Sequence, residues 1–70
     1  MTKEIFEEKY KLKGGVKMLE ELMAEGFTGS FIGQHFGVTR WMVSLWSKDL
    51  FGKTYDPRKN RREKIVEAML

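Results

Sequence analysis

Cysteine is absent from all 70 residues of this chain. Neither a disulfide nor a thiolate metal site can form, so the fold must rest on apolar packing alone. A chain of this length has room for one hydrophobic core, which predicts a single domain over residues 1–70. The lack of cysteine suits a reducing cytoplasm.

Long apolar runs are also missing, and histidine is scarce. Three of the first eight residues are glutamates, so we expect neither a secretory signal nor a membrane span. His35 is the one histidine, and it has no cysteine and no clustered carboxylates to join in a metal site or a Ser/His/Asp set. We therefore expect no enzyme activity, no metal, no cofactor and no small-molecule substrate.

No stretch alternates apolar and polar residues as a strand would, whereas several show helical periodicity. The sequence predicts an all-α fold, a small bundle of four to five helices. We place an N-terminal helix over 1–13, a supporting helix over 16–25, a helix pair over 28–51 and a basic helix over 56–70. Thr28 and Thr39 are expected to cap the paired helices. Asp56 and Pro57 open the last one, which ends within an apolar stripe and is expected to continue in a longer protein or to pack on a partner chain.

Positive charge is concentrated in the C-terminal part of the chain. Residues 1–26 carry five Lys and six Glu, net −1, whereas residues 27–70 carry four Lys and four Arg against two Asp and two Glu, net +4. This balance favours a polyanionic partner, with nucleic acid first and an anionic membrane surface second. A solvated basic face is the plain alternative.

Two of the predicted helices are separated by little more than Gly37 and Val38. So short a link fixes a steep crossing, which requires a small residue at the closest approach and apolar side chains on the inner faces. Gly33 is the small residue. The apolar ones are Ile32, Phe36, Val38, Val43 and Trp46.

At these positions the sequence resembles the helix-turn-helix family of prokaryotic and phage DNA-binding proteins. That family has an apolar and then a small residue four to five residues before a turn glycine. One apolar residue follows the glycine, and two more lie six and nine residues past it. The matching residues are Ile32, Gly33, Gly37, Val38, Val43 and Trp46. The resemblance covers about a third of the chain, Phe27 to Lys48. It departs from the family at Gly33, where alanine is commoner, and at Trp46, which is larger than usual.

The resemblance implies a recognition helix from Thr39 to Lys48 that enters the major groove of duplex DNA. The implied base contacts are Arg40, Trp41, Ser44 and Leu45. Arg40 could bind O6 and N7 of guanine with two hydrogen bonds. The implied phosphate contacts are Thr28, Ser30, Gln34, Thr39 and Lys48, with Arg58, Lys59, Arg61, Arg62 and Lys64 from the basic segment. For Thr28, Ser30 and Gln34, on the first helix of the pair, the alternatives are helix capping and exposure to solvent.

Trp41 and Leu45 are large and apolar, yet helical spacing puts them outside the core. Contacts with thymine methyl groups, packing on the N-terminal helix and a subunit interface all stay open for them.

We expect a duplex DNA-binding module of a transcription regulator or of a phage or mobile-element protein. The alternatives are a protein-interaction module on the same fold and the DNA-recognition domain of a recombinase or packaging protein. The expected partners are double-stranded DNA and either a second copy of the chain or another protein, without a membrane. The expected location is cytoplasmic, in the nucleoid when DNA is bound.

Overall fold

The structure, a computed structural model, describes residues 1–58, and this part of the chain is helical without a strand. Its α-helices are α1 (Lys3–Lys9), α2 (Gly15–Ala24), α3 (Gly29–Phe36) and α4 (Arg40–Phe51), and a short 3-10 helix (Lys11–Lys13) lies between α1 and α2. The predicted all-α fold is confirmed. No helix within residues 1–58 is both long and apolar enough to cross a membrane. Of the predicted helix over 56–70, all positions after Arg58 lie outside the described residues.

The N-terminal segment forms two helical pieces instead of the single helix predicted over 1–13. The chain leaves α1 at Tyr10, whose φ of −113° and ψ of 23° are not helical. The carbonyl of Tyr10 then accepts hydrogen bonds from the amides of Lys13 (2.9 Å) and Gly15 (3.0 Å), which closes a tight corner before α2. This corner brings α1 back over the other helices.

Trp46 is the centre of the hydrophobic core. Only 1% of its surface is exposed, and its ring meets those of Phe6, Tyr10 and Phe36 at centroid distances of 4.8, 5.0 and 5.6 Å, all edge to face. Phe6 and Tyr10 belong to the N-terminal segment, so α1 and its corner provide two of the three aromatic rings that pack on Trp46. The core residues are Phe6, Leu19, Met23, Ile32, Phe36, Val43, Trp46 and Leu50.

Glu7 of α1 caps the next helix across nine residues of chain. Its Oε2 accepts a hydrogen bond of 2.7 Å from the amide of Val16. Gly14, the residue that precedes α2, has no side chain with which to make this bond. The carboxylate therefore satisfies a first-turn amide that the local sequence leaves without a partner.

A three-residue turn, Gly37 to Thr39, joins α3 to α4. Gly37 has a φ of 77°, in the left-handed region that other residues adopt with strain. Val38 donates its amide to the carbonyl of Gly33 at 2.8 Å, which folds the turn back on the end of α3. The close approach falls at Gly33, where an added Cβ would lie 2.5 Å from the carbonyl oxygen of Val38. A side chain larger than that of glycine would thus overlap with the backbone of the turn at this position.

We expect Gly33→Ala to lower the free energy of unfolding by about 1–3 kcal/mol, because overpacking against a backbone atom outweighs the gain in helix propensity. Gly29→Ala, in the same helix, is the matched control. Its new Cβ would lie 3.6 Å from Cβ of Arg40, an ordinary contact, so its stability should equal or slightly exceed that of the parent. Urea denaturation of both variants measures the difference. Equal stability of the two would show that the helices do not meet at Gly33.

Candidate nucleic-acid interface

The face of α4 that points away from the core carries all four predicted base contacts. Arg40, Trp41, Ser44 and Leu45 are exposed, while Val43, Trp46, Ser47 and Leu50 on the opposite face are buried. Trp41 is 69% exposed and Leu45 is 53% exposed. Neither therefore packs on the N-terminal helix, one of the three possibilities that the sequence left open.

Arg40 is the first residue of α4, and its guanidinium lies over the ring of Trp41. The Cζ atom is 5.4 Å from the ring centroid, within the range of a cation–π contact. An arginine in this place presents its donors at the start of the exposed face. The contact with Trp41 limits the orientations that the guanidinium can adopt.

The first turn of α3 lies beside the first turn of α4. Thr28 precedes α3, and its Oγ1 accepts a hydrogen bond of 3.2 Å from the amide of Phe31. Thr28 is thus a helix cap, and its hydroxyl hydrogen is not used by that bond. Ser30 and Gln34 are exposed on the same helix. The amides at the start of such a helix have no partner within it and favour an anion.

A surface hollow of about 460 Å³ lies between these two helix starts. Thr28, Gly29, Ser30, Arg40, Trp41, Ser44, Tyr55 and Pro57 line it. The tertiary structure thus brings two predicted phosphate contacts, Thr28 and Ser30, next to three of the four predicted base contacts. Gly29, Tyr55 and Pro57 were not predicted as site residues.

Thr39 differs from its predicted role as a capping side chain. It stands at the residue before α4 but makes no side-chain capping bond, and its backbone carbonyl accepts from the amides of Met42 (3.1 Å) and Val43 (3.4 Å) instead. Its exposed hydroxyl is therefore not committed to the helix. Lys48 is exposed two turns further along α4.

The connector that follows α4, residues 53–55, is held in place by hydrogen bonds at two points. Ser47, which is 2% exposed, donates its hydroxyl to the carbonyl of Lys53 at 2.5 Å. Tyr55 donates its hydroxyl to the carbonyl of Phe27 and also approaches that of Met23 at 3.3 Å. These bonds hold the connector against the corner between α2 and α3, so the basic segment starts beside the hollow. Residues 53–55 lie outside all of the helices predicted from the sequence.

Positive charge prevails in the part of the chain that forms α3, α4 and the residues after them. Residues 27–58 contain Arg40, Lys48, Lys53 and Arg58 against Asp49 and Asp56, four positive charges against two negative ones. The carboxylate of Asp49 lies 3.5 Å from the N-terminal ammonium of Met1, which offsets its charge. Four further predicted phosphate contacts, Lys59, Arg61, Arg62 and Lys64, lie outside the described residues.

These features define a small all-α domain whose last two described helices, joined by a tight turn, present a basic face with two apolar side chains on it. Within residues 1–58, no three His, Asp or Glu side chains come together in a group that could hold a metal ion. Comparison with models of protein families, with curated proteins and with solved structures found no match.

Proposed function

We propose that this chain is a duplex DNA-binding module whose helix α4 enters the major groove. The observation that carries the proposal is the hollow between α3 and α4. There, hydroxyl groups and helix amides suited to phosphate lie next to an arginine and a serine suited to base edges. This arrangement of groups matches the major groove of DNA, which has phosphates along its edge and the edges of the bases at its bottom.

Each part of the hollow has a defined task in this proposal. Arg40, at the start of α4, binds O6 and N7 of a guanine, and Ser44, one turn later, bonds a neighbouring base edge or phosphate. Thr28, Ser30 and the backbone amides of Gly29 and Ser30 hold the phosphates of the strand beside the groove. These contacts fix the register in which Arg40 meets the bases.

The basic segment adds affinity without sequence preference. Because Tyr55 anchors the connector, Arg58 starts this segment on the same side of the molecule as the hollow. The cations that follow neutralise phosphates further along the duplex. We propose that such a module serves a transcription regulator or the DNA-recognition part of a phage or mobile-element protein.

A protein-interaction module on the same fold is the second candidate. The exposure of Trp41 and Leu45 favours it, because large exposed apolar side chains often mark a protein contact. The two candidates differ in whether duplex DNA binds at all.

We expect Arg40→Ala to separate base recognition from backbone binding. Its affinity for a selected duplex site should fall by about 10- to 100-fold, and its affinity for random duplex much less, because the guanine contact exists only at the preferred site. The double change Arg61→Ala and Arg62→Ala should instead weaken both DNAs alike, since phosphate contacts carry no sequence information. Equilibrium titration at about 50 mM salt measures the affinity of each variant for each of the two DNAs, in comparison with the parent chain.

Lys17→Ala is the control for loss of one positive charge, because Lys17 is exposed on α2 and takes no part in the hollow. It should leave the preference for the selected site unchanged. If no duplex binds the parent chain at about 50 mM salt, the protein-interaction candidate replaces the DNA-binding one. If the Arg61 and Arg62 change alters sequence preference and Arg40→Ala does not, α4 is not the element in the groove.

A further inference from the structure

Trp41 and Leu45 form an exposed apolar pair on α4. They lie four residues apart, which places them on one side of the helix, and they are 69% and 53% exposed. Trp41 and Leu45 are not part of the hydrophobic core, to which α4 contributes Val43, Trp46 and Leu50 from its opposite face. Neither side chain offers a hydrogen-bond acceptor, and the indole of Trp41 offers one donor. What the pair can contribute is apolar contact.

The charges around this apolar pair narrow the choice of partner. Arg40 and Lys48 flank it on the exposed side of α4, and the guanidinium of Arg40 lies over the Trp41 ring itself. Asp49 follows Leu45 by four residues on the same side of α4, but its carboxylate lies 3.5 Å from the N-terminal ammonium, which offsets its charge. An apolar protein surface placed here would desolvate two cations without compensating them. A polyanion that also carries apolar groups satisfies both features.

In the major groove of DNA, the C5-methyl group of thymine is the apolar group presented beside the hydrogen-bonding edges of the bases. We propose that Trp41 and Leu45 select thymine by contact with its methyl group, next to the guanine that Arg40 binds. This inference rests on the proposed function. Four residues of helix rise about 6 Å, close to two base steps of about 3.4 Å. The site therefore contains two thymines within about two base pairs of each other.

Deoxyuridine tests this directly, because it differs from thymidine in DNA only by the missing methyl group. A preferred site is first enriched from a random pool of unmodified duplex DNA, which contains no 5-methylcytosine. Each thymine of that site is then replaced in turn by deoxyuridine. We expect two positions at which Kd rises about fourfold, the factor that corresponds to about 0.8 kcal/mol for one buried methyl-sized group.

Variants of the chain assign each methyl group to its reader. Trp41→Ala should abolish the deoxyuridine effect at one position, and Leu45→Ala should abolish it at the other. Leu12→Ala is the matched control, because Leu12 is fully exposed on the 3-10 helix, so the same substitution there should leave both effects intact. Circular dichroism checks that each variant is folded.

The outcomes separate this inference from the function on which it rests. Absence of duplex binding overturns both. Duplex binding without enrichment of any sequence, or with a Kd that deoxyuridine leaves unchanged, overturns the methyl contact and leaves DNA binding in place. A deoxyuridine effect that persists in both Trp41→Ala and Leu45→Ala overturns it as well, because other residues would then read the methyl groups.

Discussion

The affinity for mixed-sequence duplex DNA is expected to fall about a hundredfold when salt rises from about 50 to 200 mM. Each phosphate that is neutralised releases a counterion, so the logarithm of the binding constant falls by about 0.9 for each tenfold rise in salt and each phosphate. About four such contacts give this loss over a fourfold change in salt. The chain offers six predicted cationic phosphate contacts, so the hundredfold loss corresponds to about four of them being made at the same time. Lys48 and Arg58 are the two of the six that lie within the described residues.

Fluorescence anisotropy with a labelled duplex across a salt series measures this slope. The double change Arg61→Ala and Arg62→Ala should flatten the slope, because binding of this variant would release about two counterions fewer than binding of the parent chain. Lys17→Ala should leave it unchanged, because that cation lies on α2, away from the hollow. A slope near zero in the parent chain would contradict phosphate binding, whatever the affinity at low salt.

Phe6→Ala should remove a large part of the free energy of unfolding of the domain. Phe6 is fully buried and packs on Trp46, Tyr10 and Phe36 at centroid distances of 4.8, 4.8 and 5.6 Å. Truncation of a buried phenylalanine costs about 3–5 kcal/mol. A chain of this length has a total stability of about 4–10 kcal/mol, so the loss is a large part of it. Urea and thermal denaturation followed by circular dichroism measure the change.

Ile5→Ala is the control for this change, because Ile5 is the neighbouring residue of α1 and is 55% exposed. It should cost no more than about 0.5 kcal/mol. If Phe6→Ala lowered the free energy of unfolding by less than about 1 kcal/mol, the packing of α1 on Trp46 would be contradicted.

The helix pair could be predicted from the sequence because its signals are local. A glycine with a positive φ ends α3 at Gly37, a small residue lies at Gly33, and apolar residues recur with helical spacing on either side of the turn. Helical periodicity alone also placed Arg40, Trp41, Ser44 and Leu45 on the exposed side of α4, since side chains repeat every 3.6 residues. The all-α fold follows from the same periodicity.

The candidate site could be predicted only in part. Its contact residues on α4 and at the start of α3 came from the resemblance, and the structure brings most of them to one hollow. Tyr55 was missed because its partner, the carbonyl of Phe27, lies 28 residues away in sequence. Thr39 was assigned a capping bond because threonine often makes one before a helix, but its side chain makes none here.

The sequence by itself determined helices α2, α3 and α4, the turn between α3 and α4 and the side of α4 that faces outward, because these depend on neighbours within about one helical turn. Only the tertiary structure decided which distant residues pack on these helices and cap them. Phe6 of α1 closes the core over Trp46, Glu7 caps α2 from nine residues away, and Tyr55 holds the connector beside the hollow. These contacts join residues far apart in the chain, and no local pattern encodes them. They form because burial of aromatic rings removes apolar surface from water, and because buried backbone N–H and C=O groups need hydrogen-bond partners, wherever in the chain those partners lie.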